Sequence, residues 1–384
     1  MLRVLNSPYF TLFLLSLMLL LAPGQAAAQT AGTPQVAWHY TPASGAVYGA
    51  GLSDDGADLV VVIGHGFEPG GAIVSLDPAT GAERWRADID EAPSSSPIIE
   101  SGVVYAGIGS LVSGRSAVYA LDAASGAVLW RTDVSNNELP ATPVDGVTLG
   151  GNALFVNRAD GELLALDAAT GQERWSKDLQ KPPRGAPAVA GETVYVSTGF
   201  DGAAILALDA ATGDERWRVE APSNPVTGPV VVDEVMFVPY GDGNLVAFDA
   251  ASGAERWRAT GGTPDSLGPP SPGLPLVADG AVYVSSIGFG GATTLAFDAA
   301  TGAELWQLAT GDFSAGPPAL VNGVLLVGSD SGELLGIDPV AGVEVWRLAI
   351  PNDIHLSLTH TDPPLAGNAI YVTDDAGGIV ALTM

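Results

Sequence analysis

Cysteine is absent from the 384 residues. That excludes disulfides, thiolate metal sites, a cysteine nucleophile and a lipid anchor on an N-terminal cysteine. Basic residues are scarce, with 15 Lys and Arg against 43 Asp and Glu for a formal charge of -28. A nucleic-acid binder needs a basic face to displace counterions from phosphates, so nucleic acid and anionic membrane are poor partners. The acidic excess reads as a solvated surface. Charged residues reach only 15% while hydrophobic residues reach 47%, which is too apolar for a disordered chain. Long apolar runs are also lacking. The longest, Tyr9 to Ala22, has 14 residues and as a helix reaches only about 21 Å, short of the ~30 Å hydrocarbon core. Arg3 precedes it, Pro23-Gly24 breaks it and Ala26-Ala27-Ala28 stands before Gln29, so residues 1–28 read as a secretory signal peptide. Residues 29–384 are then expected as one exported domain, with no transmembrane segment in the mature chain.

What the chain has in abundance is a repeat. Asp occurs at 77, 122, 167, 209, 249, 298 and 338, with Gly four residues later and Trp eight residues later each time. Two residues before each Asp the side chain is small: Ser75, Ala120, Ala165, Ala207, Ala247, Ala296 and Gly336. An eighth unit is divided between the two ends, with Ala381 supplying the small residue and Trp38 the tryptophan. The eight small positions are 40 to 49 residues apart, a period that suits one four-stranded propeller blade. The expected fold is therefore all-β, an eight-bladed β-propeller whose N-terminal strand completes the C-terminal blade. In one unit the strands are expected at 186–189, 193–198, 204–208 and 215–219. Asp209 caps the turn between the last two, Gly213 takes a positive φ there, and Trp217 lies on the outermost strand against the next blade. Trp38, Trp85, Trp130, Trp175, Trp217, Trp257, Trp306 and Trp346 are accordingly read as structural docking residues.

The pattern carried by Ala165, Asp167, Gly171 and Trp175 resembles the tryptophan-docking motif of the PQQ-like, quinoprotein-type β-propeller family, over essentially all of residues 35–384. That family holds both enzymes and non-enzymes. The resemblance to the alcohol dehydrogenases implies pyrroloquinoline quinone and calcium in the central channel, stacked on a tryptophan floor and in some members capped by an adjacent cysteine pair. Here every tryptophan belongs to the repeat and there is no cysteine. The chain is thus closest to the BamB-like non-enzymatic propellers, which implies a protein-binding scaffold of the cell envelope, with outer-membrane β-barrel assembly as the role. No cofactor is expected on that reading, and a monomer is. Two alternatives stand beside it: a PQQ-dependent alcohol or sugar dehydrogenase, and a propeller that binds a small ligand or polysaccharide.

Function in a repeat protein is expected where the units differ. Most arginines flank a docking Trp and are read as exposed stems paired with carboxylates. Arg115, Arg158, Lys181 and Arg184 fall outside that register, and Lys181 with Arg184 occupies a Pro-rich segment leading into an inner strand, a candidate site for an anionic ligand. Asp353, His355, His360 and Asp362 crowd one inter-blade segment and are candidate metal ligands, though their spacing fits no known signature. The Gly- and Pro-rich stretches 64–71, 108–114 and 261–273 are candidate rim loops. No nucleophile, base and acid arrangement and no phosphate-cradling loop is recognisable, so no catalytic residue is assigned.

Overall fold

A computed structural model describes residues 33–66, 68–109, 115–135, 144–260, 271–288, 291–311, 317–328, 332–350, 369–374 and 377–383. The 1–28 segment and the Asp353, His355, His360 and Asp362 cluster lie outside the described residues. Those described form strands, turns and no helix. The strands make eight antiparallel sheets in a propeller ring: blade 1 (46–89), blade 2 (98–133), blade 3 (144–178), blade 4 (188–220), blade 5 (230–260), blade 6 (271–311), blade 7 (319–349) and blade 8 (369–383 with 35–40). Within blades 1 to 7, chain order runs from the channel outward. Blade 8 contributes three strands among the described residues, and its outer one is Gln35–Tyr40, paired with Ile379–Thr383.

Blade 4 shows why these residues adopt this form. Thr193–Ser197 and Ala204–Asp209 are β-branched or apolar, and both of their faces are covered by neighbouring blades, so all but Asp209 are buried without alternation. Glu215–Glu220 is covered on one face only and alternates between exposed and half-buried. The inner strand is Ala188–Ala190, starting two residues later than its composition suggests. Pro187 has no N–H to give the ladder, and the chain before it touches the sheet through a single bridge, Pro183 to Thr198. In blade 6 the inner strand is likewise broken, into Ser271–Pro272 and Leu276–Ala278.

The turn between third and outer strand is the same in every complete blade. Asp209 Oδ1 accepts N–H bonds from Ala211 at 2.9 Å and Thr212 at 3.0 Å, and Gly213 closes the turn at φ 75°. The hydroxyl-bearing fourth residue adds a bond where present, as in Thr170 to Asp167 at 2.9 Å. Asp Oδ2 then accepts from the arginine seven residues on: Arg84 to Asp77 at 3.0 Å, Arg174 to Asp167 at 2.7 Å, Arg216 to Asp209 at 2.8 Å and Arg256 to Asp249 at 2.6 Å. The guanidinium first and the turn hydroxyl second hold Asp167 and Asp249 down to about 2.

Each tryptophan faces its small partner across its own blade, as Trp217 faces Ala207, and all but Trp346 lie with the ring on the turn glycine of the next. A Cβ at Gly253 would stand 2.8 Å from Trp217 Cε3. The indole N–H donates to the carbonyl one residue beyond the motif Asp of the next blade. This bond measures 3.0 Å from Trp38 to Pro78, 2.7 Å from Trp85 to Ala123, 3.0 Å from Trp130 to Ala168 and 3.1 Å from Trp175 to Ala210. It continues from Trp217 to Ala250 and Trp257 to Ala299 at 3.0 Å, and from Trp306 to Pro339 at 2.8 Å. The ring seam is the exception. The third and outer strands of blade 8 come from opposite ends of the sequence, so no motif turn joins them, and the buried Trp346 Nε1 has no partner among the described residues. Blade 8 is tied to blade 1 by Tyr371 Oη donating to Pro78 O at 3.1 Å, as Tyr105 does to Ala168 O at 3.2 Å, and by Tyr40 Oη donating to Glu83 at 2.6 Å, while within blade 8 His39 lies 2.8 Å from the buried Asp374.

Two outcomes follow for stability. Burying ~150 to 250 Å² of indole at ~25 cal/mol/Å² is worth at most about 4 to 6 kcal/mol per junction. Trp217→Ala is expected to cost about 3 to 5 kcal/mol in chemical denaturation, and Trp217→Phe about 1 kcal/mol more than Trp346→Phe, because only at 217 does the change leave a carbonyl unpaired. The depressed Asp167 and Asp249 contribute stability that is complete above the unfolded pKa of about 3.9 and lost as pH falls through about 2. An Arg174→Leu, Arg256→Leu variant should therefore melt below the wild type at pH 7 and much closer to it at pH 2; a gap undiminished at pH 2 contradicts this assignment.

Candidate functional site

With one end of every blade committed to docking turns, variation is confined to the other end, where inter-blade segments enter the inner strands at the mouth of the channel. These segments share a frame. Two prolines four residues apart, Pro93 and Pro97, Pro183 and Pro187, Pro225 and Pro229, bracket three residues before the inner strands of blades 2, 4 and 5. The first of the three donates its N–H to the second strand: Ser94 to Gly107 O at 3.1 Å, Arg184 to Ser197 O at 2.8 Å, Val226 to Pro239 O at 3.0 Å. Bonds returning from Gly109 to Ala92 O, Gly199 to Pro182 O and Gly241 to Asn224 O, each 2.9 Å, pin the other side. Because proline fixes φ and cannot compete for acceptors, the bracketed side chains are presented from a rigid rim. Ser-Ser-Ser, Arg-Gly-Ala and Val-Thr-Gly fill the three frames.

Blade 4 departs most from its neighbours. Its turn between second and third strand is closed by Thr198 N–H on Ala204 O, whereas blade 5 closes the equivalent turn from Tyr240 to Asn244, two residues shorter. The extra length carries Phe200, which is 56% exposed and held at φ 66°, a conformation that costs a bulky side chain of order 1 to 2 kcal/mol. Its ring lies under the Arg184 guanidinium at 4.5 Å. Arg184 Nε is buried without a partner and packs so closely on Gly199 that no Cβ fits there. Lys181 lies alongside, with Nζ 3.9 Å from the Cβ position of Gly202. Neither Lys181 nor Arg184 forms an ion pair among the described residues, although ten arginines do.

The structure thus brings Lys181 and Arg184 to one patch and separates them from the other two off-register cations. Arg158 is buried, donating to Asp160 at 2.9 Å and Val134 O at 3.1 Å and pairing with Glu162, so its charge is spent inside the fold. Burial works against its charge, but these carboxylates outweigh burial and raise its pKa. Arg115 stands before the third strand of blade 2 and has interactions of its own. Of the rim stretches, 64–71 closes a hairpin of blade 1, and 110–114 and 261–270 fall outside the described residues. Phe200 was not singled out by sequence reasoning. Its only signal there is the greater length of the Gly199–Gly202 turn when the units are aligned.

A quinone in the channel would need an aromatic floor and a calcium donor set. All eight indoles sit on outer strands, away from the channel, and no group of three or more carboxylates or imidazoles is placed to hold a metal among the described residues. Neither is found among the described residues.

Such a molecule is a tryptophan-docked eight-bladed propeller with its chemistry on one rim. Residues 114–288 and 290–384 match the profile of the family described as outer membrane protein assembly factor BamB, and the chain belongs to that PQQ-like propeller family. No curated protein matches. Among solved structures, BamB from Moraxella catarrhalis superposes with TM-score 0.69 at 19% identity, covering 92% of this chain and 98% of that one. Quinohemoprotein alcohol dehydrogenase from Comamonas testosteroni gives 0.69 at 14% identity over 93% of this chain and 77% of its own. The computationally designed Ika8 protein gives 0.70 at 16%, covering 91% of this chain and 100% of that one. At these identities the likeness is one of fold.

Phe200 offers a direct check on whether this patch serves stability. Phe200→Gly relieves the backbone strain but loses a cation–π contact worth about 0.5 to 1 kcal/mol and costs glycine entropy of similar size. The variant is expected to unfold within about 1 kcal/mol of the wild type, whereas Phe237→Ala, in the core, costs about 3 to 5 kcal/mol.

Proposed function

We propose that this chain is an exported, non-enzymatic scaffold that binds a protein partner at the channel mouth, in the assembly of outer-membrane β-barrel proteins. Residues 1–28 are its export signal and residues 29–384 its single domain; it works as a monomer in the periplasm or outside the cell, without an anchor on an N-terminal cysteine. Membership of the BamB family supports the role. The observation that carries the site is the Arg184 guanidinium stacked on a strained, exposed Phe200 beside an unpaired Lys181, in a chain of charge -28. A planar cation without an ion-pair partner among the described residues is complementary to a carboxylate, and an exposed phenyl ring to an apolar neighbour, so the surface suits an acidic and apolar segment of the partner.

Placing a photo-crosslinking amino acid at Phe200 in the cell that makes the protein tests this. The expected product is an adduct with a component of the barrel-assembly machinery, reduced at least about tenfold by Lys181→Ala with Arg184→Ala, equivalent to about 1.4 kcal/mol. Tight stoichiometric binding of pyrroloquinoline quinone with calcium, and alcohol- or sugar-dependent dye reduction, would overturn the non-enzymatic reading.

A further inference from the structure

The docking end is uniform in its motif, but one hairpin there breaks step. Two residues join the inner and second strands in each of blades 2 to 7. Five of these hairpins contain a glycine at positive φ: Gly102, Gly151, Gly191, Gly280 and Gly323. Blade 5 has none. Its hairpin is Asp233-Glu234, at φ 47° and 63°, so two side chains occupy the left-handed region that glycine fills without strain. Strain of this kind clusters at ligand sites, and Glu234 faces a groove. Its carbonyl accepts the Ala250 N–H at 3.0 Å, and Ala250 O in turn accepts the Trp217 indole N–H at 3.0 Å. Two bonds thus fix Glu234 beside the docking indole. The groove between blades 4 and 5 measures about 380 Å³, and Tyr195, Trp217, Val231 and Ala250 line it together with Arg216 and Glu234.

The polar groups of this groove are not equally committed. Arg216 is spent, donating to Asp209 and to Thr193 Oγ1 at 2.8 Å each. Glu234 is not. At the same hairpin position Asn152 accepts from Arg174 at 2.9 Å and Glu192 lies 3.9 Å from Arg216, whereas the equivalent Arg256 turns to Asp249 and leaves Glu234 with no ion pair among the described residues. Tyr195 also departs from its counterparts. Tyr105, Tyr283 and Tyr371 donate to the carbonyl that holds the docking indole, at 3.2, 3.4 and 3.1 Å. Tyr195 makes no such bond among the described residues, and Ala250 O holds the Trp217 indole without it. An unmatched carboxylate and an uncommitted phenol oxygen beside two aromatic rings are complementary to a primary ammonium on an alkyl stem. Its N–H groups donate to the two oxygens, its charge faces the rings and its stem covers Val231 and Ala250. An anion would meet Glu234 with no unmatched cation to offset it. A neutral alkyl group would leave both oxygens unused. The charge of -28 also draws cations toward the chain from a distance.

We propose that Glu234, Tyr195 and Trp217 form a binding site for a primary alkylammonium group, carried by a free amine or by a lysine side chain of another protein, and independent of the Arg184 patch. Titration of the full chain with pentylammonium, 1-pentanol and Nα-acetyl-lysine methylamide at matched ionic strength, followed by NMR of the indole N–H signals, tests this. Pentylammonium is expected to move the Trp217 signal, identified by its loss in Trp217→Phe, and to leave that of Trp130, whose neighbour Tyr105 is already bonded. Its dissociation constant should be about 10 mM or tighter and at least about tenfold below that of 1-pentanol. Glu234→Gln should weaken binding at least about fivefold and Tyr195→Phe several-fold. Glu234→Gly should weaken it as Glu234→Gln does and yet melt no lower than the wild type, because it relieves the strained hairpin; a residue kept for stability would show the reverse, and that result counts against the site. Binding of the lysine derivative as tight as that of pentylammonium identifies a protein lysine as the ligand, and binding of pentylammonium alone a free amine. A Trp217 signal unmoved at about 100 mM pentylammonium, equal affinity for 1-pentanol, or affinity indifferent to Glu234→Gln would each overturn the proposal.

Discussion

The indole laid on the next blade's turn glycine, with its N–H on the adjacent carbonyl, is the contact on which the rest of the ring depends. It joins an outer strand to a turn some 40 residues further on, and so dictates four residues at once. The tryptophan must face a small residue to sit flat. Glycine is needed for both space and positive φ, as at Gly253, and aspartate to hold the turn that presents carbonyl and glycine together. Such a contact repeats because its strand-and-turn partners repeat. Where the chain cannot repeat, at the seam, Trp346 keeps its burial but its indole N–H has no acceptor among the described residues, while blade 8 is tied to blade 1 through Tyr371 and Tyr40 and across its own strands through His39.

This constraint divides the molecule by its ends. At the docking end identity is dictated and charge is neutralised locally, since each of four motif aspartates is matched by the arginine seven residues on. At the mouth, only the frame is fixed, by prolines and a few backbone bonds, and the side chains inside it are free to differ. Hydroxyls in blade 2, a cation in blade 4 and apolar or hydroxyl groups in blade 5 then share one rim. The designed Ika8 protein, at 16% identity, superposes with TM-score 0.70, so the same fold is reached by a largely different set of residues.

What could be read from residues alone follows the same boundary. The blades, their number and the closure by Trp38 were legible because each is written in residue types that one contact demands. The inner strand of blade 4 was placed two residues early because apolar character continues through Ala186 while Pro187 withholds the N–H that a strand needs. Lys181 and Arg184 stood out as off-register, but so did Arg158, and no pattern in the chain separates the buried, fully paired guanidinium from the two unpaired cations. That difference is made by which carboxylates the turns bring within reach. Phe200 was missed for a related reason. It is exposed by a two-residue lengthening of a turn, which leaves unaltered the hydrophobic pattern on which the reading rests.

The negative charge bears on how the Arg184 patch must work. A net charge of -28 repels an acidic partner at long range, so the two unpaired cations cannot act by steering. At physiological salt the Debye length is about 8 Å, and beyond that distance the repulsion is largely screened, while a contact at a partly buried guanidinium is screened much less. Recognition at the rim is therefore short-ranged: it rests on the carboxylate reaching the guanidinium and on apolar area reaching Phe200. A short-range site gains from rigidity, because every side chain already ordered is one whose entropy is not lost on binding. The proline frame and the glycine beneath Arg184 supply that rigidity, and the strain held at Phe200 is tolerable because the docking contacts elsewhere over-determine the fold.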